Sequence, residues 1–132
     1  MVITDPIADM VCRIKNALAR KKNEVDMPFS KMKQEIARLL REEGYISNYE
    51  KIEDNKQGIL KIYFKYNEDG RSVIRDMRRF STPGRRIYSK NQEIPRVIEG
   101  LGRAIISTPR GLLTDKECRK NRLGGEVILF VW

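Results

Sequence analysis

Near the start of the chain the apolar positions recur every three or four residues. Ile7, Met10, Val11, Ile14, Ala17 and Leu18 keep that spacing, which places them on one stripe of a helix. Asp5 followed by Pro6 supplies an N-cap and a first helical position, and Arg13, Asn16 and Arg20 fall off the stripe. Residues 23–27 read as a connector or short strand ending at Pro28. Ser30 opens a second helix over residues 31–43, with Ile36, Leu39 and Leu40 inward and Gly44 as its stop. From Tyr45 the period falls to two. Residues 45–53 read as a strand and 54–58 as a turn. Leu60, Ile62, Phe64 and Tyr66 then alternate with Lys61 and Lys65, the pattern of a hairpin with one packed face.

The polar, turn-forming residues 67–70 are the natural boundary, giving an expected domain over residues 1–66 and another over 71–132. Beyond the boundary the pattern is more broken. Residues 73–80 read as a strand, Pro83-Gly84 as a type II turn, 85–88 as a short strand and 103–107 as another. Thr114 with Glu117 three positions on is a capping box for a short helix over 115–121, which Gly124-Gly125 ends. Residues 126–132 are an apolar strand. The expected class is α+β, with two small domains: an N-terminal α-β-α-β-β domain and a β-rich C-terminal one with one short helix.

Composition narrows the functions. At 132 residues and 40% apolar the chain can bury a core without staples, and no apolar run approaches the ~20 residues that span a bilayer. The opening residues lack a basic segment before an apolar core, so no secretory signal is expected and the chain should stay in the cytoplasm. Two distant cysteines, Cys12 and Cys118, and no histidine leave no ligand set for a metal, and no cofactor is expected. The commonest general base is missing too. Without a nucleophile elbow, a phosphate-cradling loop or a dinucleotide fingerprint, neither catalysis nor a small-molecule substrate is expected.

Charge changes the picture most. The net charge is +9. The first 66 residues hold 13 basic and 10 acidic residues, a net of +3, and the remainder 14 and 8, a net of +6. Between residues 71 and 90, seven bases (Arg71, Arg75, Arg78, Arg79, Arg85, Arg86, Lys90) face only Asp76. A polyanion is the default partner of such a run. A major-groove helix is disfavoured, because the second helix mixes Glu35, Glu42 and Glu43 with its bases. RNA fits better. In "IISTPRGLLTD", residues 105–115, Ser107 and Thr108 can donate and accept, Arg110 offers a phosphate contact, and Gly111 permits positive φ. A plain turn with a local hydroxyl hydrogen bond is the structural alternative. Tyr88 beside Arg85, Arg86 and Lys90 suits a stacking platform with phosphate clamps; a half-buried strand tyrosine is the alternative. On this reading the hydroxyls and amides specify and the basic run supplies salt-dependent affinity. A basic protein–protein adaptor inside a ribonucleoprotein is the runner-up.

These residues also carry a resemblance. "TDPIADMVCRIKNA" (4–17), "RRFSTPGRRIY" (78–88), "IPRVIEGLGRAIISTPRGLLTDKE" (94–117) and "GGEVILFVW" (124–132) together resemble the bacterial-type small-subunit ribosomal protein S-eight family, over essentially the whole chain. The resemblance implies a non-catalytic two-domain protein that binds the central domain of 16S-type ribosomal RNA and helps order the platform of the small subunit. It implies RNA contacts near Ser107, Thr108 and Gly111, a tyrosine at Tyr88 that packs on the nucleic acid, and a Glu126 that hydrogen-bonds and steadies the loop; Gly124 and Gly125 beside it are further expected RNA contacts. It further implies contacts from the opening helix around Thr4, Asp5 and Arg13. Neighbouring small-subunit proteins are implied partners, as is the chain's own mRNA in members that regulate their translation. A plastid member would work in the organelle's stroma. Pro109 departs from the usual Ser-Thr-Ser loop, removing a hydroxyl and a backbone N–H.

Overall fold

The first helix starts where its cap says it should. In the computed structural model, which describes residues 5–90, 94 and 97–132, Asp5 Oδ1 accepts from the backbone N–H groups of Ile7 and Ala8 at 3.2 and 3.1 Å. This satisfies two of the donors a helix leaves open. Helix α1 (Pro6–Ala19) buries Ile7, Met10, Val11, Ile14 and Ala17. Strand β1 (Glu24–Pro28) leads to α2 (Lys31–Glu42), capped by the Ser30 hydroxyl on Lys33 N at 3.2 Å. Gly44, at φ +81°, closes α2: Tyr45 N returns to Leu40 O at 2.8 Å.

Strands β2 (Ile46–Ile52) and β3 (Ile59–Phe64) complete a three-stranded antiparallel sheet in the order β1-β3-β2. Leu60, Ile62 and Phe64 alternate inward as the period of two requires, and Met27 joins them.

The rest of the chain builds a second sheet from β4 (Met77–Arg79), β5 (Tyr88–Ser89), β6 (Arg103–Thr108), β7 (Gly111–Thr114) and β8 (Gly125–Val131). Its order is β4-β8-β6-β7, with β5 also paired to β8, so β8 is the hub. A one-turn 3-10 segment, Val97–Gly100, precedes β6. Helix α3 (Asp115–Asn121) opens on the full capping box between Thr114 and Glu117. Ile94, Val97, Ala104, Ile106, Cys118 and Val127 form a core cluster against one side of the sheet, flanked by Phe80 and Phe130 with rings 4.7 Å apart.

Three local expectations are corrected. The strand expected over 73–80 shrinks to β4. The Ser72 hydroxyl accepts from Ile74 N, a local bond that competes with the ladder, and regular pairing begins only where Asp76 exchanges backbone hydrogen bonds with Trp132. Gly84 does not take the positive φ of a type II turn; instead Thr82 and Arg85 exchange backbone hydrogen bonds around it. No strand is expected between residues 107 and 115, yet Gly111–Thr114 forms β7 beyond a hairpin tip at Pro109-Arg110.

The chain divides into two compact units. One is Asp9–Arg75; the other joins Asp76–Trp132 to the residues up to Ala8. The polar turn at 67–70 lies inside the first, between the bridged residues Tyr66 and Ser72.

Candidate nucleic-acid interface

The hairpin tip between β6 and β7 is short. Thr108 pairs with Gly111, leaving Pro109 and Arg110 at the two central positions. Two-residue hairpins usually need positive φ there, which proline cannot supply and Arg110 does not adopt. Gly111 takes the left-handed conformation instead, at φ +100°. The Thr108 hydroxyl is spent on this geometry: it donates to Gly111 O at 2.8 Å and accepts from Arg110 N at 3.1 Å. The local hydroxyl turn is thus real for Thr108. The Ser107 hydroxyl has no hydrogen-bond partner among the described residues.

Register places Ser107 in a row. It lies across from Glu126 on β8, which lies across from Tyr88 on β5. Directly paired residues point to the same side of a sheet, here the side opposite the Ile106 and Val127 cluster. The three elements therefore present a hydroxyl, a carboxylate and an aromatic ring side by side. Tyr88 is 66% exposed, whereas Glu126 is buried.

The buried carboxylate organises what surrounds it. Glu126 Oε2 accepts from the Ser81 hydroxyl at 2.6 Å, and Oε1 accepts from Arg86 Nη1 at 3.1 Å. Ser81 Oγ in turn accepts from Ile87 N at 3.0 Å. Both feet of the 82–86 turn also rest on Val127: Ser81 N donates to its carbonyl, and its N–H donates to Ile87 O. The turn carrying Arg85 and Arg86 is clamped to the strand that underlies Ser107. Arg85, Lys90 and the Arg110 guanidinium have no ion-pair partner among the described residues and are exposed.

Gly125 shows why the row can form. A β-carbon there would lie 2.0 Å from Ser107 O and 3.2 Å from Thr108 Cα, so only glycine lets β8 approach the hairpin so closely. Gly124 sits one residue before the strand.

The remaining candidates fall elsewhere. Asp5 caps α1 and accepts from Arg79 Nε at 3.1 Å, with both side chains largely buried. Arg79 Nη1 also reaches Ile128 O. One cation of the seven-base run is therefore spent inside the fold. Arg13, in the other unit, is paired with Asp9 at 2.8 Å and donates to Asp26 O. Arg71 and Arg75 also belong to that unit. Thr4 lies outside the described residues. The residue that sequence reasoning passed over is Ser81, completely buried. Its signal was present: a serine between Phe80 and Thr82-Pro83-Gly84 closes a turn that a lone hydroxyl can pin.

A family model for Ribosomal protein S8 matches residues 5–132. The chain belongs to the ribosomal protein S8 family. It is 54% identical to the small ribosomal subunit protein uS8 of Clostridioides difficile (strain 630) and of Geobacillus kaustophilus (strain HTA426), each across all 132 residues and the full length of both chains. It is 53% identical to the uS8 of Thermodesulfovibrio yellowstonii over 131 residues, 99% of this chain and all of that one. In this S8-family chain Pro109 and Arg110 occupy the two central positions of the tip, neither at positive φ. Among the described residues no helix is long and apolar enough to cross a membrane.

Proposed function

We propose that this S8-family chain, a structural component of the ribosome, binds the central domain of 16S-type ribosomal RNA directly and helps assemble the platform of the small subunit. The observation that carries the reading is the row Tyr88–Glu126–Ser107 beside the β6–β7 tip. An exposed aromatic stacks on an unpaired base. A free hydroxyl and the tip amides read base edges and 2′-hydroxyls. Arg85, Arg86, Lys90 and Arg110 meet phosphates. Glu126 touches no phosphate; it holds Arg86 and Ser81 so that the platform is formed before RNA arrives, which lowers the ordering cost of binding. The uS8 relatives are named as small-subunit proteins, which agrees with this role. The same surface would take the chain's own messenger wherever that folds into a like hairpin.

The test is binding to an irregular small-subunit rRNA hairpin and to a regular duplex of equal length across a salt series. The hairpin preference should survive rising salt. Tyr88→Ala or Ser107→Ala should weaken hairpin binding by about 1–3 kcal/mol, the scale of a lost stack or base contact, and leave duplex binding unchanged. Equal loss on both RNAs would sink the platform assignment.

A further inference from the structure

The three-stranded sheet has a second face. Residues 60, 62 and 64 of β3 turn inward, so 59, 61 and 63 turn outward, together with the positions of β1 and β2 paired to them. That outward face is chemically unlike the rest of the chain. Glu24 and Asp26 on β1 and Glu50 on β2 surround one strand cation, Lys61 on β3, so the strand positions carry a net of −2 in a chain of net +9, while the Arg41 guanidinium reaches Asn48 Oδ1 on the same face at 3.1 Å. Lys61 is already engaged, its Nζ 3.5 Å from Glu24 and 3.9 Å from Asp26. Glu50 is held in place by the Tyr63 hydroxyl, which donates to its carboxylate. One end of the face is apolar: Ile59 pairs with Ile52 and, on its other side, with Pro28.

We propose that this face is a docking surface for a lysine- or arginine-rich segment of another protein in the same particle, and not a second RNA contact. Three arguments converge. A phosphate backbone laid across the strands would meet three carboxylates and one ammonium, Lys61, already engaged by two of them, a like-charge arrangement that disfavours association even with Arg13 and Arg41 held at Asp26 O and Asn48. A cationic side chain would instead find Glu50 fixed in position and two further carboxylates across the strands, the complementarity that gives protein pairs their register. A face meant only for water has no use for Ile52, Ile59 and the Tyr63 ring beside those acids; an apolar end next to a polar, charged field is the make-up of a protein interface. The inference rests on the proposed ribosomal role only in taking its partner from the same particle.

Carboxylate footprinting separates the outcomes. Glu24, Asp26 and Glu50 are labelled with carbodiimide and glycine ethyl ester in three states: the free chain, the chain bound to its rRNA hairpin alone, and small subunits reconstituted from purified RNA and proteins. Labelling should persist in the first two states and be lost in the third, with carbodiimide-made amide links from these carboxylates to lysines of another protein where lysine is the partner. Loss of labelling on RNA alone would assign the face to RNA and overturn the proposal. Labelling that persists in the full subunit would make the face a solvated surface and overturn it equally. Whether the chain–hairpin complex forms at all is read beforehand. Its failure would count against the proposed RNA contact, while the free chain and the subunit would still decide the docking face.

Discussion

Ser81 stands between two demands: its hydroxyl donates to a buried carboxylate and accepts the amide that ends the arginine-bearing turn. Ser81→Ala leaves Glu126 short of a donor in a place water cannot easily replace. It should cost about 1–3 kcal/mol in urea unfolding, the usual penalty for an orphaned buried polar group. Ser81→Thr, which keeps the hydroxyl, should recover most of the RNA affinity lost in the alanine variant. Cys118 offers a second check. Burial, then the nearby Asp115 and Glu117, pushes its thiol up from 9.0 to about 11. The folded chain therefore holds that proton more tightly than the unfolded chain. This contribution to stability is fully present below pH 9 and is lost as pH rises toward 11. At pH 8 a thiol reagent should modify the exposed Cys12 and spare Cys118 until denaturant is added; two modified thiols in the native chain would contradict the packing.

At the level of elements, the hairpin tip depends on Gly111. Gly111→Ala should destabilise the chain by about 1–2 kcal/mol, the cost of a left-handed residue with a β-carbon, and weaken hairpin RNA binding further by misplacing Arg110. Unfolding and binding measured on one preparation would separate the two effects. The regular elements were legible from their spacing. The stripe from Ile7 to Ala17, the alternation from Leu60 to Phe64 and the Thr114–Glu117 box each fix a local geometry without long-range help. What could not be read depended on partners distant in sequence. β7 is four residues long, too short to show a period, and is a strand because β6 pairs with it. Met77–Arg79 is a strand because β8 lies beside it, while Ile74 is tied to the Ser72 hydroxyl two residues before it. In the candidate site, Tyr88, Arg86 and Glu126 were nameable, but the row they form is a matter of register, which no local pattern states. Asp5 shows the converse: as a cap it was legible, whereas its engagement by Arg79, 74 positions on, was not.

For the molecule as a whole, net charge overstates what is available to a polyanion. Arg79 is paired within the fold, Arg86 is shared with Glu126, and Arg71 lies 3.7 Å from Asp69. Arg85→Gln should reduce the slope of log affinity against log salt by about 0.7–0.9, the share of one phosphate contact. Arg79→Gln should leave that slope unchanged and instead lose about 1.5–3 kcal/mol of stability, the range for hydrogen bonds to charged groups. A salt titration beside an unfolding curve for both variants reads the difference directly.

The position of β8 as the hub of its sheet has a consequence for biosynthesis. Strands β4, β5 and β6 all pair with it, yet it is translated after each of them. The unit Asp9–Arg75 has all its strands once Phe64 has emerged and can fold while translation continues. The second sheet must wait. Until Gly125 and Glu126 leave the exit tunnel, Tyr88 and Ser107 have no common strand between them, and Arg86 has no carboxylate to hold it. A nascent or prematurely released chain therefore lacks the assembled platform, however many arginines it already displays. If the row is the RNA contact proposed above, the order of synthesis itself keeps unfinished copies from competing for it.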